Sequence, residues 1–383
     1  MTERERQILA LLREDPTLSP AAIARRLKSS AAAVTVHLSA LRQQGEIVGR
    51  GYVLKPAGQV IVVGGANMDF KCQAKAPVVL RTSNPGRMAA AVGGVACNIA
   101  RNLARLGVPT ALLTVVGQDE FGERILREAR ACGLDVSMVL MSARPTGTYV
   151  ALLDSDGELT AAISAMDAMD ELTADRIAQR AAGIAQARMA VADCNLEQAA
   201  LLRLAEICAA SAVPLAIDAV STRKAERLRP LLKMRVPIQL LALNRDEAAV
   251  LAGRRVRSDV DLQRAADMLH KAGVKHVLIG MSERGTFAAS AGASGTIVPP
   301  FPATLIDVTG GGDAALAGAI YGLLDQQPLA EAARWGQGAA ALTVSVPDTI
   351  NPVLTPASLR AILSRRSRPR SDSGGKPIKG RAA

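Results

Sequence analysis

The sequence lacks any run of about 18 apolar residues, so it contains no candidate transmembrane helix. Its first residues, MTERERQILA, are charged where a secretory signal peptide would have an apolar core, and we therefore expect a cytoplasmic protein with no membrane partner. The five cysteines are scattered without CxxC spacing, which predicts neither a zinc site nor a disulfide framework.

Charge is unevenly distributed along the 383 residues. Residues 1–55 carry nine Lys or Arg against five Asp or Glu, residues 360–383 carry eight against one, and residues 56–359 are neutral overall. Basic ends around a neutral centre are expected where nucleic acid is bound at an end of the chain. Residues 363–383, rich in Ser, Pro, Gly and Arg, are predicted to be a basic disordered tail, which could equally be a solubilising extension.

Residues 1–56 are predicted to form three helices followed by a wing. Each helix has an apolar face, and the second and third have start signals at Ser19-Pro20 and at Ser29 or Ser30. Gly45 is the predicted stop of the third helix. Two short strand-like runs then flank Gly49-Arg50-Gly51, which is typical of a hairpin turn.

This segment resembles the winged helix-turn-helix domains of bacterial transcription regulators, which implies a domain that binds double-stranded DNA. Its third helix would enter the major groove, and the wing tip would reach phosphate or the minor groove. The candidate DNA contacts are Ser30, Thr35, His37 and Arg50. A small helical cap used for packing or dimerisation is the alternative interpretation.

From Val60 onward, short apolar runs alternate with longer amphipathic ones. The runs are VIVV at 60, ALLTVV at 111, YVALL at 149, MAVAD at 189, LAID at 215, LLAL at 240 and HVLI at 276. This alternation predicts an α/β domain with a central, mostly parallel sheet flanked by helices. The first run ends in GGANMD and lacks GxGxxG, which argues against an NAD-binding Rossmann domain.

The segment DVTGGGD, residues 307–313, places three glycines and an aspartate at the start of an apolar helix. Glycines let several backbone amides approach one point, and the helix N-terminus adds the positive end of its dipole. Such a loop suits a migrating phosphoryl group, and Asp313 could accept the proton of an attacking hydroxyl. Taken alone, the motif could also be a flexible loop with a capping aspartate.

GGVACNIARNLARLG at 93–107 resembles the N-terminal signature of the PfkB-family kinases, and DVTGGGDAALAG resembles their C-terminal signature. Supporting matches are Asn67 and Asp69, the NxxE pattern from Asn244 to Glu247, and GMSERG at 280–285. The resemblance covers residues 58–362 and implies a ribokinase-like fold with a small β lid and an ATP-dependent kinase activity. One departure is GGGD where the family usually has GAGD, which adds backbone freedom to the loop.

The resemblance also implies roles for particular residues. Asp313 would be the catalytic base, with an anion hole formed by the amides of Gly310, Gly311 and Gly312. Substrate contacts would come from Asn67, Asp69, Gly93, Gly94 and Asn98, and ATP contacts from Asn244, Gly280, Ser282, Gly285 and Gly312. Glu247 would order water bound to Mg²⁺, and Asp307 and Thr309 would bind a monovalent cation, with K⁺ the candidate.

Members of this family phosphorylate sugars and nucleosides. The segments TSNPGR at 82–87, LLDSDGE at 152–158, VADCN at 191–195 and TINP at 349–352 resemble those of pseudouridine kinases. We therefore expect phosphorylation of the 5'-hydroxyl of a nucleoside, with pseudouridine converted to pseudouridine 5'-phosphate as the first choice. Ser83, Asn84 and Asn195 become candidate substrate contacts, and ribokinase or another sugar or nucleoside kinase is the alternative.

Two segments, near 70–90 and 145–167, are expected to form the lid. In this family, lids often pair two subunits, so the resemblance also implies a homodimer. A rival function is a transcription regulator whose kinase fold serves only as a sensor of a sugar or nucleoside. Asp313, Asn244 and Glu247 argue against it, because a sensor needs neither a base nor a metal-phosphate site.

Overall fold

The computed structural model describes residues 1–15, 18–47 and 58–364. The chain divides into two compact units, Met1–Gly58 and Gln59–Ala383. The predicted wing from residue 48 onward, with Arg50, and residues 365–383 of the predicted tail lie outside the described residues. Among the helices within the described ranges, none combines the length and the apolar character needed to cross a membrane.

The first unit contains the three predicted helices, α1 (Glu3–Glu14), α2 (Pro20–Arg26) and α3 (Ala31–Gln43). The side chains of Ser19 and Ser30 accept hydrogen bonds from the amides of Ala22 and Ala33, so both predicted caps are confirmed, with Ser30 chosen over Ser29. Gly45 has the left-handed conformation expected after a helix end. Buried residues from all three helices form one apolar core, which includes Ile8, Leu9, Leu12, Ile23, Val34, Leu38 and Leu41.

The second unit alternates strands and helices. Its strands are β1 (Val60–Val63), β2 (Asn67–Ala74), β3 (Gly86–Gly93), β4 (Thr110–Leu113), β5 (Val115–Gly117), β6 (Leu140–Ser142), β7 (Thr148–Leu153), β8 (Leu159–Ala165), β9 (Met189–Asp193), β10 (Leu215–Asp218), β11 (Ile238–Asn244), β12 (Val274–Gly280), β13 (Thr286–Ser290) and β14 (Thr296–Val298). Its helices are α4 (Val95–Arg105), α5 (Glu120–Ala131), α6 (Ala174–Ala178), α7 (Ala181–Ala185), α8 (Gln198–Ala210), α9 (Thr222–Ala225), α10 (Arg229–Lys233), α11 (Arg245–Ala252), α12 (Asp259–Lys271), α13 (Gly311–Leu324), α14 (Leu329–Thr343) and α15 (Pro356–Leu363).

Eight strands form the central sheet, in the order β14-β13-β12-β11-β10-β9-β1-β4. The six strands from β12 to β4 pair in parallel, and β13 and β14 add an antiparallel edge. Alternate residues of β1 enter opposite cores, with Ile61 and Val63 in one and Val60 and Val62 in the other. Both faces of the sheet are therefore buried, which explains why its strands are continuous apolar runs.

A second sheet of four strands, in the order β3-β2-β7-β8, is formed by the two segments predicted for the lid, and we call it the lid sheet. Every residue of its edge strand β8 is exposed. Two of the apolar runs do not form a single strand of the central sheet, as the simple alternation would predict. YVALL lies in the lid sheet as part of β7, and ALLTVV separates at Thr114 into β4 and β5, which belong to different sheets.

Asp193, the last residue of β9, connects the sheet to α4. It is fully buried, and its carboxylate accepts hydrogen bonds from the amides of Gly65 (3.0 Å) and Ala96 (2.8 Å). Ala96 lies in the first turn of α4, whose N-cap residue Gly94 has no side chain to accept that bond. Asp193 therefore caps α4 from another strand and fixes the helix that carries Asn98.

Candidate active site

The glycine loop begins α13 in a conformation that requires glycine. Gly310 has a φ of +76°, and a Cβ there would lie 1.9 Å from the Thr349 carbonyl oxygen. At Gly312, by contrast, a Cβ would meet no atom within 4 Å. The amide of Gly311 donates to the Val308 carbonyl at 3.2 Å, so it closes the turn, whereas the described residues offer no partner to the amide of Gly312. The open side of the loop thus lies at Gly312, where the positive end of the helix dipole favours an anion.

Asp313 follows the loop in the first turn of α13. Its carboxylate accepts a hydrogen bond of 2.8 Å from the Asn98 side-chain amide. Burial raises the pKa of Asp313 to about 7, with the nearby Asp193 and Asp69 carboxylates adding to the shift and the Asn98 hydrogen bond opposing it. A carboxylate with this pKa can both accept and hold a proton near neutral pH.

Asn98 reaches Asp313 from α4, whose start passes close to the sheet. Gly94 has a φ of +95°, and a Cβ there would lie 2.5 Å from the Gly65 carbonyl oxygen. The Oδ1 atom of Asn98 is buried and has no hydrogen-bond partner among the described residues. Asn98 therefore donates to Asp313 through its amide nitrogen, while its Oδ1 atom can accept a hydrogen bond from a ligand.

Three polar residues of β2, Asn67, Asp69 and Lys71, occupy alternate positions and so share one face of the strand. The Asn67 side chain donates to Asp69 at 2.5 Å, and burial raises the pKa of Asp69. A Cβ on Gly93 would lie 2.0 Å from an Asp69 carboxylate oxygen, so glycine at 93 makes room for this side chain. Asn67, Asp69, Gly93 and the start of α4 thus adjoin one another.

The Lys71 ammonium donates hydrogen bonds to the carboxylate of Asp307 and, at 2.7 Å, to the hydroxyl of Thr309. Burial would raise the pKa of Asp307, but the hydrogen bonds from Lys71 and Thr309 outweigh it and lower that pKa below its usual value. The oxygens predicted to bind a monovalent cation therefore already hold a cationic side chain. Sequence reasoning missed Lys71, although its place two residues after Asp69 on a strand was a usable signal.

A cleft of about 250 Å³ opens beside Asp313, at the carboxyl ends of β10, β11 and β12. The predicted residues that line it are Asn244, Glu247, Gly280, Gly312 and Asp313. Asp218, Thr286 and Gln337 also line it and carry no motif that the sequence analysis used. Burial, with the neighbouring Asp313 and Glu247 carboxylates, raises the pKa of Asp218 well above its usual value.

Asn244 and Glu247 form a capping box at the start of α11. Asn244 accepts from the Glu247 amide at 2.8 Å, while both oxygens of the buried Glu247 carboxylate accept from Asn244. Asn244 also lies beside Gly280 in the register of β11 and β12. The NxxE pattern therefore has a structural cause in addition to its position in the cleft.

Other predicted site residues have partners away from Asp313. Asn84 closes its own turn through Val79 and Thr82, and Ser83 in that turn is exposed. The side chain of Asn195 donates to Asp193 and accepts from Lys224. Ser282 and Gly285 lie in the turn that joins β12 to β13, just beyond Gly280.

In the first unit, the candidate DNA contacts on α3 have local partners. Ser30 caps the helix, and the Thr35 hydroxyl donates to the Ala31 carbonyl at 2.8 Å. His37 lies 3.5 Å from the carboxylate of Glu5 on α1, with about 28% of its side chain exposed. Arg50 lies outside the described residues.

Comparisons with known proteins agree with this architecture. Residues 57–356 match the model of the pfkB family carbohydrate kinases, and residues 1–48 match a winged helix-turn-helix DNA-binding model. Uncharacterized sugar kinase YeiI of Escherichia coli K12 is 31% identical over 93% of this chain and 97% of its own length. Pseudouridine kinase of the same strain is 32% identical over 79% of this chain and 96% of its own. A carbohydrate kinase from Agrobacterium tumefaciens has a similar structure, with a TM-score of 0.69, 29% identity and coverage of 80% of this chain and 97% of that one.

The fold and the site together define a ribokinase-like kinase, an ATP-dependent phosphotransferase. The chain belongs to the pfkB family of carbohydrate kinases, and it carries a winged helix-turn-helix domain at its N-terminus.

The space beside Gly311, the position at which GGGD departs from GAGD, is limited by Val344 and yields a prediction. A Cβ on Gly311 would lie 2.9 Å from Cγ1 of Val344, so Gly311→Ala should overpack the loop and cost about 1 kcal/mol or more of unfolding free energy. The matched change Gly312→Ala meets open space and should be neutral or slightly stabilising. Urea denaturation of both variants measures the difference, and equal stabilities would contradict the proposed crowding.

Proposed function

We propose that the chain transfers the γ-phosphoryl group of ATP to the 5'-hydroxyl of a nucleoside, with pseudouridine as the preferred substrate. The observation that carries this proposal is the position of Asp313 beside the open end of the glycine loop, with its pKa raised to about 7. A base and an anion site within one helical turn are what phosphoryl transfer to an alcohol requires.

In the proposed reaction, Asp313 accepts the proton of the attacking hydroxyl while the loop stabilises charge on the phosphoryl oxygens. The amide of Gly312 and the N-terminus of α13 would bind those oxygens. Asn98 would hold the Asp313 carboxylate in place and, through its free Oδ1, accept a hydrogen bond from a sugar hydroxyl. Asn67, Asp69, Gly93 and Gly94 would form the rest of the sugar site.

The cleft also suits ATP with a divalent cation. Its described lining contains the carboxylates of Asp218, Glu247 and Asp313 and no basic side chain, so phosphate charge there needs a counter-ion. Within the described ranges no three His, Cys, Asp or Glu are placed to hold a metal by themselves, and Mg²⁺ commonly binds through one or two carboxylates, water and phosphate. Such an ion would neutralise phosphate charge during transfer. We propose Glu247 as the residue that orders its water, and Asn244, Gly280, Ser282 and Gly285 as nucleotide contacts.

We choose pseudouridine as the proposed acceptor because a pseudouridine kinase is 32% identical to this chain over 79% of its residues. Ser83, Asn84 and Asn195 would contribute substrate contacts. The equally similar YeiI is described only as a sugar kinase, so ribose and other nucleosides are the alternative substrates. In the sensor alternative, the kinase fold would bind a sugar or nucleoside without phosphorylating it.

A panel of acceptors tests the reaction. Pseudouridine, uridine, adenosine, ribose and fructose are offered in parallel with ATP and Mg²⁺, and ATP consumption is measured. We expect turnover on pseudouridine that falls by about a hundredfold or more in Asp313→Asn, since the amide cannot accept the proton. Turnover on another acceptor would refute pseudouridine, and binding without turnover would favour the sensor.

The pH dependence tests the role of Asp313 more closely. As an acid with a raised pKa, Asp313 becomes a base only as the pH rises through about 7, so log kcat/KM should rise with pH and level off above that value. Asn98→Ala removes the hydrogen bond that lowers this pKa and should move the midpoint to higher pH. Asn102→Ala is the matched control, because Asn102 lies one turn further along α4 and its side chain makes no hydrogen bond to any described residue. An unchanged midpoint in Asn98→Ala would refute the assignment.

We also propose that residues 1–56 bind double-stranded DNA, with Ser30, Thr35, His37 and Arg50 as candidate contacts. The match to a winged helix-turn-helix DNA-binding model and the excess of basic residues in this segment support the proposal. Binding should involve phosphate neutralisation, so the affinity of the intact chain for duplex DNA should fall linearly with salt on logarithmic axes. Arg50→Ala should weaken binding and reduce the slope by about one, with Arg13→Ala on α1 as the charge-matched control. An affinity for duplex DNA that does not change with salt concentration would contradict the proposed phosphate contacts.

The predicted homodimer stays a prediction. The lid sheet supports it, since its strands expose the apolar side chains of Met88, Leu159 and Ile163. The mass of the intact chain in solution, measured by sedimentation, tests it.

A further inference from the structure

Lys71 is a cationic side chain that contacts the segment immediately before the glycine loop. It comes from β2 of the lid sheet, and its ammonium bonds to Asp307 and Thr309, the residues that precede Gly310 by three and by one. The Lys71 side chain is about 30% exposed and that of Asp307 about 20%. The pair is therefore partly removed from water, where ion pairs are screened less than at an open surface.

Both oxygens of Asp307 are engaged. Oδ1 accepts from the Thr309 amide at 2.9 Å, and Oδ2 accepts from Lys71. Lys71 also takes the Thr309 hydroxyl, so the two residues offer their side-chain oxygens to one ammonium. A free monovalent cation at the same oxygens would have to displace that ammonium or lie beside a like charge.

We propose that Lys71 is a built-in monovalent cation, which occupies the Asp307 and Thr309 site and makes the protein independent of K⁺. Its charge fixes the segment that leads into Gly310 and lies beside the loop that would receive the phosphoryl group. Lys71 is thus a positioning residue for that loop. The proposal extends the proposed kinase function and corrects the K⁺ expected from the sequence.

The surroundings support an electrostatic role. The cleft beside the loop is lined by three carboxylates and, in its described part, by no lysine or arginine. Asp69, on the same face of β2 as Lys71, adds a further acidic group near Asp313. The Lys71 ammonium neutralises the Asp307 carboxylate, so Asp307 adds no net negative charge beside the loop, and this needs no dissociable ion.

The test compares K⁺ with Na⁺ at equal ionic strength in the intact chain. Lys71→Met removes the ammonium and retains much of the side-chain length, and Lys75→Met makes the same change just beyond the end of β2. The wild-type protein and Lys75→Met should have the same thermal midpoint and kcat in both salts. Lys71→Met should have a higher midpoint in K⁺ than in Na⁺. Its kcat should fall by about tenfold or more in Na⁺ and recover in K⁺, with a smaller change in KM for the nucleoside.

The thermal measurement separates this inference from the proposed function, because it needs no turnover. If no acceptor is phosphorylated, a K⁺-selective rise in the midpoint of Lys71→Met still supports the built-in cation. A saturable K⁺ effect on the wild-type protein, which requires no variant, would overturn it. So would a Lys71→Met protein that responds equally to the two salts, and Lys71→Gln repeats the comparison if the methionine variant does not fold.

Discussion

The site depends on the hydrogen bonds that the buried carboxylate of Asp193 accepts from two backbone amides. The start of α4 passes so close to the end of β1 that Gly94 cannot carry a side chain, and the helix therefore loses its usual cap. Asp193 supplies that cap from β9, and in the same place it bonds the amide of Gly65. Leaving these two buried amides without an acceptor would cost about 1–3 kcal/mol each. This carboxylate therefore helps to fix the start of α4 and with it Asn98, which bonds Asp313.

Placing a carboxylate at this depth also has an electrostatic consequence. Asp193 and Asp69 both raise the pKa of Asp313, whose own burial is the larger cause. Asp193 and Asp69 would thus help Asp313 to act near neutral pH as the proposed base. Such a concentration of acidic groups would repel phosphate. The positive end of the α13 dipole opposes that repulsion, and Lys71 neutralises the neighbouring Asp307.

Features set by local sequence were predictable, and features set by distant contacts were not. Caps at Ser19 and Ser30, the buried parallel strands and the helix start at the glycine loop depend on a few neighbouring residues, and the structure has them as predicted. Lys71 meets Asp307 across 236 positions, and Asp193 meets Ala96 across 97. Only the fold brings these pairs together, and no local sequence motif predicts them. The sequence predicted that the Gly311 amide would line the anion hole, whereas this amide donates to the Val308 carbonyl. A run of three glycines does not show which of its amides will bond within the turn.

The alternation of β2 gives the site a further property. Asn67, Asp69 and Lys71 lie on one face of one strand. Asn67 and Asp69, proposed to bind the sugar, would therefore move together with Lys71, whose ammonium bonds the segment before the glycine loop. That strand pairs with β3 along eight residues and with β7 along six, so it has a partner on each side within the lid sheet. A displacement of the lid sheet that withdrew Asp69 from the sugar site would also withdraw Lys71 from Asp307. With Asp69 at the sugar and Lys71 at Asp307, as proposed, the covalent continuity of β2 would couple substrate binding to the position of the loop without any additional contact.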